Sequence, residues 1–398
     1  MSSDRVPRDV SRRKFLQVTV SGAAMLGAWP QRLAAAEAQA GAATTQPAMN
    51  VLGKTGLSVS RVSYGGGQLK PGAGTEMLKR AIDLGINAVH THTGYGRGKS
   101  VAAIAALFED RPEYRDKVIL CLKDTNPGKE ASVDVALKRL GTDRVDVLVP
   151  TIHKPEPERL ETIVAFNEQM IKKGKARFGA FTTHDHINEV LELILEQAPD
   201  AFHATLLSLS MVNAPGANKG ADDERKRFAA NLEALREHKV GVVSMKSGAR
   251  NAVEKGKDAF EAHCKAVIAG GADTVLTSFT NFAQLETIDK LDLSTLAMTP
   301  EQRALAAACT GACLMCGRCA NACPAGVPVS DLMRIASYPD QAGWREFAAD
   351  EFAELRVSPD KIAAACAGCT VCRGACPARY ADADAVRRTV QQFTDAVA

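Results

Sequence analysis

Residues 313–324 read CLMCGRCANACP and residues 366–377 read CAGCTVCRGACP. Both are C-x2-C-x2-C-x3-C-P, and eight of the chain's eleven cysteines lie in these two runs. No other feature of the 398-residue chain restricts its folding as much. Gaps of two residues draw three thiols of one tight loop together, which is the bacterial pattern for a four-iron, four-sulfur cluster. Pro324 and Pro377 fix the backbone as the chain leaves each loop. Zinc sites also use C-x2-C pairs, but usually take four ligands from two separated pairs. Disulfides suit an exported chain, yet two identical tight runs suit a metal group better.

The paired runs resemble those of two-cluster ferredoxins. The resemblance implies crossed ligation, in which the fourth cysteine of each run serves the other cluster. Cys313, Cys316, Cys319 and Cys376 would then hold one cluster, and Cys366, Cys369, Cys372 and Cys323 the other. The stretch between the runs is rich in helix formers with apolar residues at helical spacing, as in the helical two-cluster domains of redox enzymes. Cys309 is a free thiol by this reading, and Cys121 and Cys264 are core thiols.

Ahead of the cysteine-rich region, short β-rich runs alternate with amphipathic segments. Strands are expected at 61–65, 86–91, 118–122, 144–149, 176–181, 202–208, 240–245 and 273–278. Helices are expected near 74–84, 98–109, 130–140, 157–173, 187–197, 223–237, 257–269 and 281–290. Eight strand–helix units fit a (β/α)8 TIM barrel of the α/β class. A doubly wound sheet is the alternative, but no G-x-G-x-x-G follows the first strand. The expected organisation is a leader at 1–40, a barrel at 49–295 and a small, mainly helical two-cluster ferredoxin-like domain at 296–398.

LGKTGLSVSRVSYGG (52–66), AIDLGINAVHTHTGYGRGKS (81–100), LKRLGTDRVDVLV (137–149) and IKKGKARFGAFTTH (171–184) resemble aldo-keto reductases, of the type fused to a C-terminal ferredoxin. That family uses an aspartate–tyrosine–lysine–histidine tetrad, with the tyrosine as proton donor and NADPH as hydride donor. The resemblance places Tyr95 at the tyrosine position, Lys123 at the lysine and His90 where the family has aspartate. An imidazole cannot hold an ammonium as a carboxylate does. His153 is the candidate for the histidine, two residues beyond the family spacing, with Thr151 in register. Lys246 after the seventh strand, and Thr182 and His184 after the fifth, are candidates for binding NADP(H). Against NADP(H), residues 274–285 carry no lysine–arginine pair suited to a 2′-phosphate. His90, His92, His153, His184 and His186 fall at or just past expected strand ends, where imidazoles could handle protons or bind a metal.

The chain opens with SRRKFLQVTVSGAAMLGAWP at 11–30, which looks like a twin-arginine export signal. Its apolar stretch is too short to span a bilayer, so no membrane span remains after its removal. That route suits cargo whose metal groups are inserted before export, because ligation and folding are coupled. A net charge of +3 gives no reason to expect nucleic acid. The expectation is a periplasmic iron–sulfur oxidoreductase with a small carbonyl or alcohol substrate and a redox partner protein or quinone-linked carrier. The alternative is an electron-transfer subunit whose barrel serves only for docking.

Overall fold

The computed structural model describes residues 48–124, 128–209, 219–309, 313–338 and 342–397, with only the backbone at 342–344 and 395–397. The expected export signal lies outside the described residues. No described helix is long and apolar enough to cross a membrane.

A hairpin of β1 (Met49–Val51) and β2 (Ser58–Ser60) leads into eight parallel strands. These are β3 (Val62–Gly65), β4 (Ala88–His92), β5 (Ile119–Asp124), β6 (Val145–Pro150), β7 (Ala176–Thr182), β8 (Ala204–Ser208), β9 (Gly241–Met245) and β10 (Thr274–Thr277). They close into a barrel in chain order, with β10 paired to β3. The strands are buried on both faces. Leu120, Leu148, Phe181 and Val275 belong to the core under the surrounding helices, whereas Ala88, Cys121, Val147 and Leu206 form a second core with Leu52 and Val59 of the hairpin. The hairpin therefore plugs the N-terminal end, and the mouth at the strands' C-terminal ends is free to build a site.

The surrounding helices are α1 (Ala73–Asp83), α2 (Lys99–Asp110), α3 (Glu130–Leu140), α4 (Pro157–Lys172), α5 (Ile187–Gln197), α6 (Lys219–Glu237) and α7 (Lys257–Ala269). The helix expected at 281–290 is instead one turn, Phe282–Leu285, and a 3-10 turn, Ile288–Lys290. Asn281 caps the first through Gln284 N, but the Thr287 hydroxyl donates to the Gln284 carbonyl at 2.7 Å and competes with helix continuation. Helix α8 (Pro300–Ala307) lies on α7, with Ala306 against Ala262 and Ala266.

Helices α9 (Val329–Ala336), α10 (Ala342–Glu354), α11 (Pro359–Cys366) and α12 (Ala383–Val397) form the cysteine-rich region. Its own core includes Leu332, Ile335, Phe352, Ile362, Val386 and Phe393. The region sits on the barrel mouth. Ser330 Oγ donates to Asp185 Oδ2 at 2.8 Å, Arg250 Nη2 to the Ser337 carbonyl at 2.8 Å, and Arg97 Nε to Asp350 Oδ1 at 3.1 Å. Arg318, inside the first cysteine run, pairs with the fully buried carboxylate of Glu224.

Gly317 is the tightest point of this seam. Its φ is +70°, and a Cβ there would stand 2.5 Å from the His186 ring and 2.7 Å from Asp185 Oδ1. Gly368 in the second run has a similar φ of +66°, with nothing within 4 Å of a Cβ. Gly368→Ala should cost about 1 kcal/mol through backbone strain alone. Gly317→Ala should lower thermal stability by clearly more, because packed groups must also move. Equal melting shifts for the two variants would show that the seam is not packed as described.

Candidate functional site at the barrel mouth

Strand alternation decides which side chains reach the mouth. On β4, Thr91 points outward, its hydroxyl 2.7 Å from Ser100 Oγ, while His90 lines a small pocket inside the barrel with Cys121 and Leu206. His90 is 5% exposed, and its Nε2 is buried with no hydrogen-bond partner. One step higher, His92 is register partner to Lys123 on β5. Tyr95 opens the 3-10 turn Tyr95–Gly98, which is held in place by left-handed Gly96 and Arg97. Its ring meets His92 edge-on at 5.3 Å and His90 at 6.0 Å between centroids.

The other candidates are arranged differently. Lys246 Nζ lies 3.1 Å from His184 Nδ1, joining the loops after β9 and β7. Thr182 Oγ1 is committed to the Leu206 carbonyl at 2.9 Å. Thr151 is buried, bridges to Thr182 and has an unpartnered hydroxyl. His153 is two residues farther out; it is exposed by surface area, yet packed groups around its ring and the nearby Lys123 lower its pKa. The structure thus gathers His90, His92, Tyr95, Lys123, His184 and Lys246, and leaves His153 at the edge.

Five further residues come from outside the barrel, and the sequence reading missed them. Phe347 on α10 packs edge-on against Tyr95 at 5.6 Å and against Tyr338 at 5.3 Å. One turn along, Glu351 pairs with buried Arg334 of α9, which also holds Asp331 at 3.1 Å. Their local trace in the sequence is the mixing of charged with apolar residues in VSDLMRIA and REFAADEFAE.

Burial dominates the electrostatics. It pushes His90 down to about 3, with the nearby Lys123 adding to the effect, and His92 down to about 4 for the same two reasons. Both imidazoles are therefore neutral at ordinary pH. His184 and Lys246 are driven well below their usual values by burial and by neighbouring cations. Lys123 is lowered by burial, against the pull of Glu351. Tyr95 is raised well above 10 by burial and then by Glu351, so it keeps its proton. Burial alone would raise Glu351, but Arg334, Lys123 and Lys246 bring it down to about 2.

Beside the mouth, Cys313, Cys316, Cys319 and Cys376 line one small pocket together with Ser330 and Met333. Cys376 Sγ accepts from Tyr380 N at 3.3 Å, and Cys313 Sγ from Met315 N at 3.4 Å. Cys366 is raised by burial and then by Cys323, Cys372 and Cys369, its neighbours in the second group. Among the described residues, no three His, Cys, Asp or Glu side chains are arranged to hold a single metal ion.

Residues 60–258 match the model of the aldo/keto reductase family. Over 146 residues the chain is 34% identical to a Schizosaccharomyces pombe protein described as "Putative voltage-gated potassium channel subunit beta", covering 31% of this chain and 42% of that one. The chain thus spans less than half the length of this curated relative. An aldo-keto reductase from Bacillus halodurans, in its holo form, superposes with a TM-score of 0.52 at 17% identity, over 67% of this chain and 97% of that one. At that identity the likeness shows the fold alone.

The neutral histidines predict how stability responds to acid. Below pH 6.5 the unfolded chain protonates both imidazoles, whereas the native barrel keeps His90 neutral to about 3 and His92 to about 4. Native stability should therefore fall on acidification by about 1.4 kcal/mol per pH unit for each histidine. Urea unfolding of wild type and His90→Gln at pH 7, 6 and 5 should show a shallower loss in the variant, by one histidine's share. Parallel slopes would contradict the burial of His90.

Proposed function

This chain belongs to the aldo/keto reductase family, and on that premise we propose that it interconverts a small carbonyl compound and its alcohol at the barrel mouth, with electrons carried by two four-iron, four-sulfur clusters in the cysteine-rich region. The observation that carries this reading is the cavity walled by thiols of both runs, Cys376 beside Cys313, Cys316 and Cys319, next to the mouth residues Asp185 and His186. Four thiols converging on one pocket suit the ligation of a four-iron cube, and backbone N–H groups aimed at two of the sulfurs suit thiolates. Cys323, Cys366, Cys369 and Cys372 would hold the second cluster. Such clusters, when bound, exchange electrons one at a time.

Conversion of a carbonyl to an alcohol takes two electrons and two protons. Tyr95 keeps its proton and is the group placed to deliver one to the carbonyl oxygen, although burial and Glu351 weaken it as an acid. Lys123, when charged, lowers the cost of the phenolate left behind. His90 and His92 stay neutral and add no competing charge beneath the substrate. Side chains that could meet a nucleotide phosphate are already engaged: Lys246 with His184, Ser278 with the Gly65 carbonyl at 2.7 Å, and Arg250 with the Ser337 carbonyl. That does not fit NADP(H), and no step here uses it.

The reading includes export through the twin-arginine route to the periplasm, where a redox protein or quinone-linked carrier exchanges electrons with the outer cluster. His90 in place of a carboxylate favours a second reading, in which the barrel is a docking platform for electron transfer and performs no chemistry.

Anaerobically prepared protein should contain about eight iron and about eight sulfide per chain, and Cys376→Ser should disturb the same cluster as Cys313→Ser. Tyr95→Phe should abolish turnover with carbonyl substrates and artificial electron donors while leaving the iron content intact. Unchanged turnover would instead favour the docking platform. Replacing Arg12 and Arg13 by lysine should strand the iron-loaded chain in the cytoplasm, as read by cell fractionation.

A further inference from the structure

Helix α10 belongs to the cysteine-rich region, yet one of its faces completes the barrel's site. Phe347, Asp350, Glu351 and Glu354 recur at helical spacing on that face. Phe347 packs on Tyr95, and Asp350 receives Arg97 from the Tyr95 turn. Glu354 is close enough to Gly94 that a Cβ there would lie 2.8 Å from its Oε1. Glu351 lies between these contacts. Its side chain is 16% exposed and its Arg334 partner 8%, so the pair is shut into the seam. On the barrel side, the position where the family has a carboxylate holds His90, whose Nε2 has no partner.

We infer that Glu351 is the carboxylate of this site, a positioning residue for Lys123 supplied by the appended helix in place of the one missing at position 90. This deepens the reductase reading and rests on it only for the role of Lys123. The buried carboxylate faces three cations, Arg334, Lys123 and Lys246, and is held ionised by all three. Lys123 in turn faces Glu351, Glu354 and Asp331 as anions and Arg334 as a further cation, with His90, His92, His153 and His184 around it. Burial lowers its pKa, and Glu351 is the first of the groups opposing that shift. Arg334 fixes the carboxylate through α9 and is itself a cation that Glu351 must outweigh at Lys123. Excised from the cysteine-rich region, the barrel would keep Tyr95 and Lys123 but lose the anion that tunes them.

Competitive acetylation of the cluster-loaded chain across pH, read by mass spectrometry at Lys123, tests this directly, because only the neutral amine reacts. Glu351→Gln should move the Lys123 midpoint down by at least one pH unit, a tenfold rise in the neutral fraction at fixed pH. Glu351→Asp should move it little. His90→Asp added to Glu351→Gln should restore the midpoint, and His90→Asp alone should raise it, a result that does not require the seam to tolerate a change at 351. A structural role for Glu351 would not be rescued from position 90. An unmoved midpoint in Glu351→Gln, a failed rescue, or a Lys123 that takes no label at any pH in Glu351→Gln would each overturn the inference. The readout is charge and not turnover, so it stands or falls separately from whether Tyr95→Phe abolishes catalysis.

Discussion

The structure turns on a buried ion pair inside the cysteine-rich region, Arg334 of α9 with Glu351 of α10, at the place where that region covers the barrel mouth. Burying two charges is costly unless geometry and further partners compensate. Here Asp331 shares the arginine, while Lys123 and Lys246 share the carboxylate. Separation of the cysteine-rich region from the barrel removes the two lysines, whereas Asp331, on α9 itself, stays with the arginine. The cysteine-rich region is therefore part of the site's electrostatic environment as well as an attachment to it. The hydrogen bonds from Ser330 to Asp185 and from Arg250 to Ser337, and the close fit of Gly317 on His186, hold the same seam elsewhere.

The charge pattern follows from that seam. Two lysines and an arginine meet in a partly buried mouth above neutral histidines, with a tyrosine that keeps its proton. In such surroundings a weakly basic oxygen, such as a carbonyl, gains more from a proton donor and a nearby cation than it would in water. The thiol-lined cavity stands at the edge of this mouth and shares the seam residues Ser330 and Gly317 with it. The second thiol group, around Cys366, belongs to the core of the appended region and lies on its far side in chain order.

The barrel was legible because parallel strands covered on both faces read as short apolar runs, and each such run became a strand within about two residues of its expected ends. The strand ends fixed which residues could stand at the mouth, including the imidazole at 90. The reading failed at 281–290, where Thr287 diverts its hydroxyl to the backbone, a local competition that apolar spacing does not register. It also missed Phe347, Glu351 and Arg334. Their role depends on contacts spanning more than two hundred residues of sequence, and nothing local marks a charged helix face as one that will be buried. The commitment of Lys246 to His184 was hidden for the same reason, since it joins two loops that only barrel closure brings together.

The central claim is that thiols from both cysteine runs surround one iron–sulfur group at the edge of a barrel mouth closed by α10. A crystal structure of anaerobically prepared protein, phased on iron anomalous scattering, measures this in one experiment. The account predicts two compact iron sites, one bounded by Cys313, Cys316, Cys319 and Cys376 against Ser330, with Glu351 enclosed between Arg334 and the lysines of the mouth. Iron absent from that cavity, or the cysteine-rich helices found away from the mouth, would contradict it.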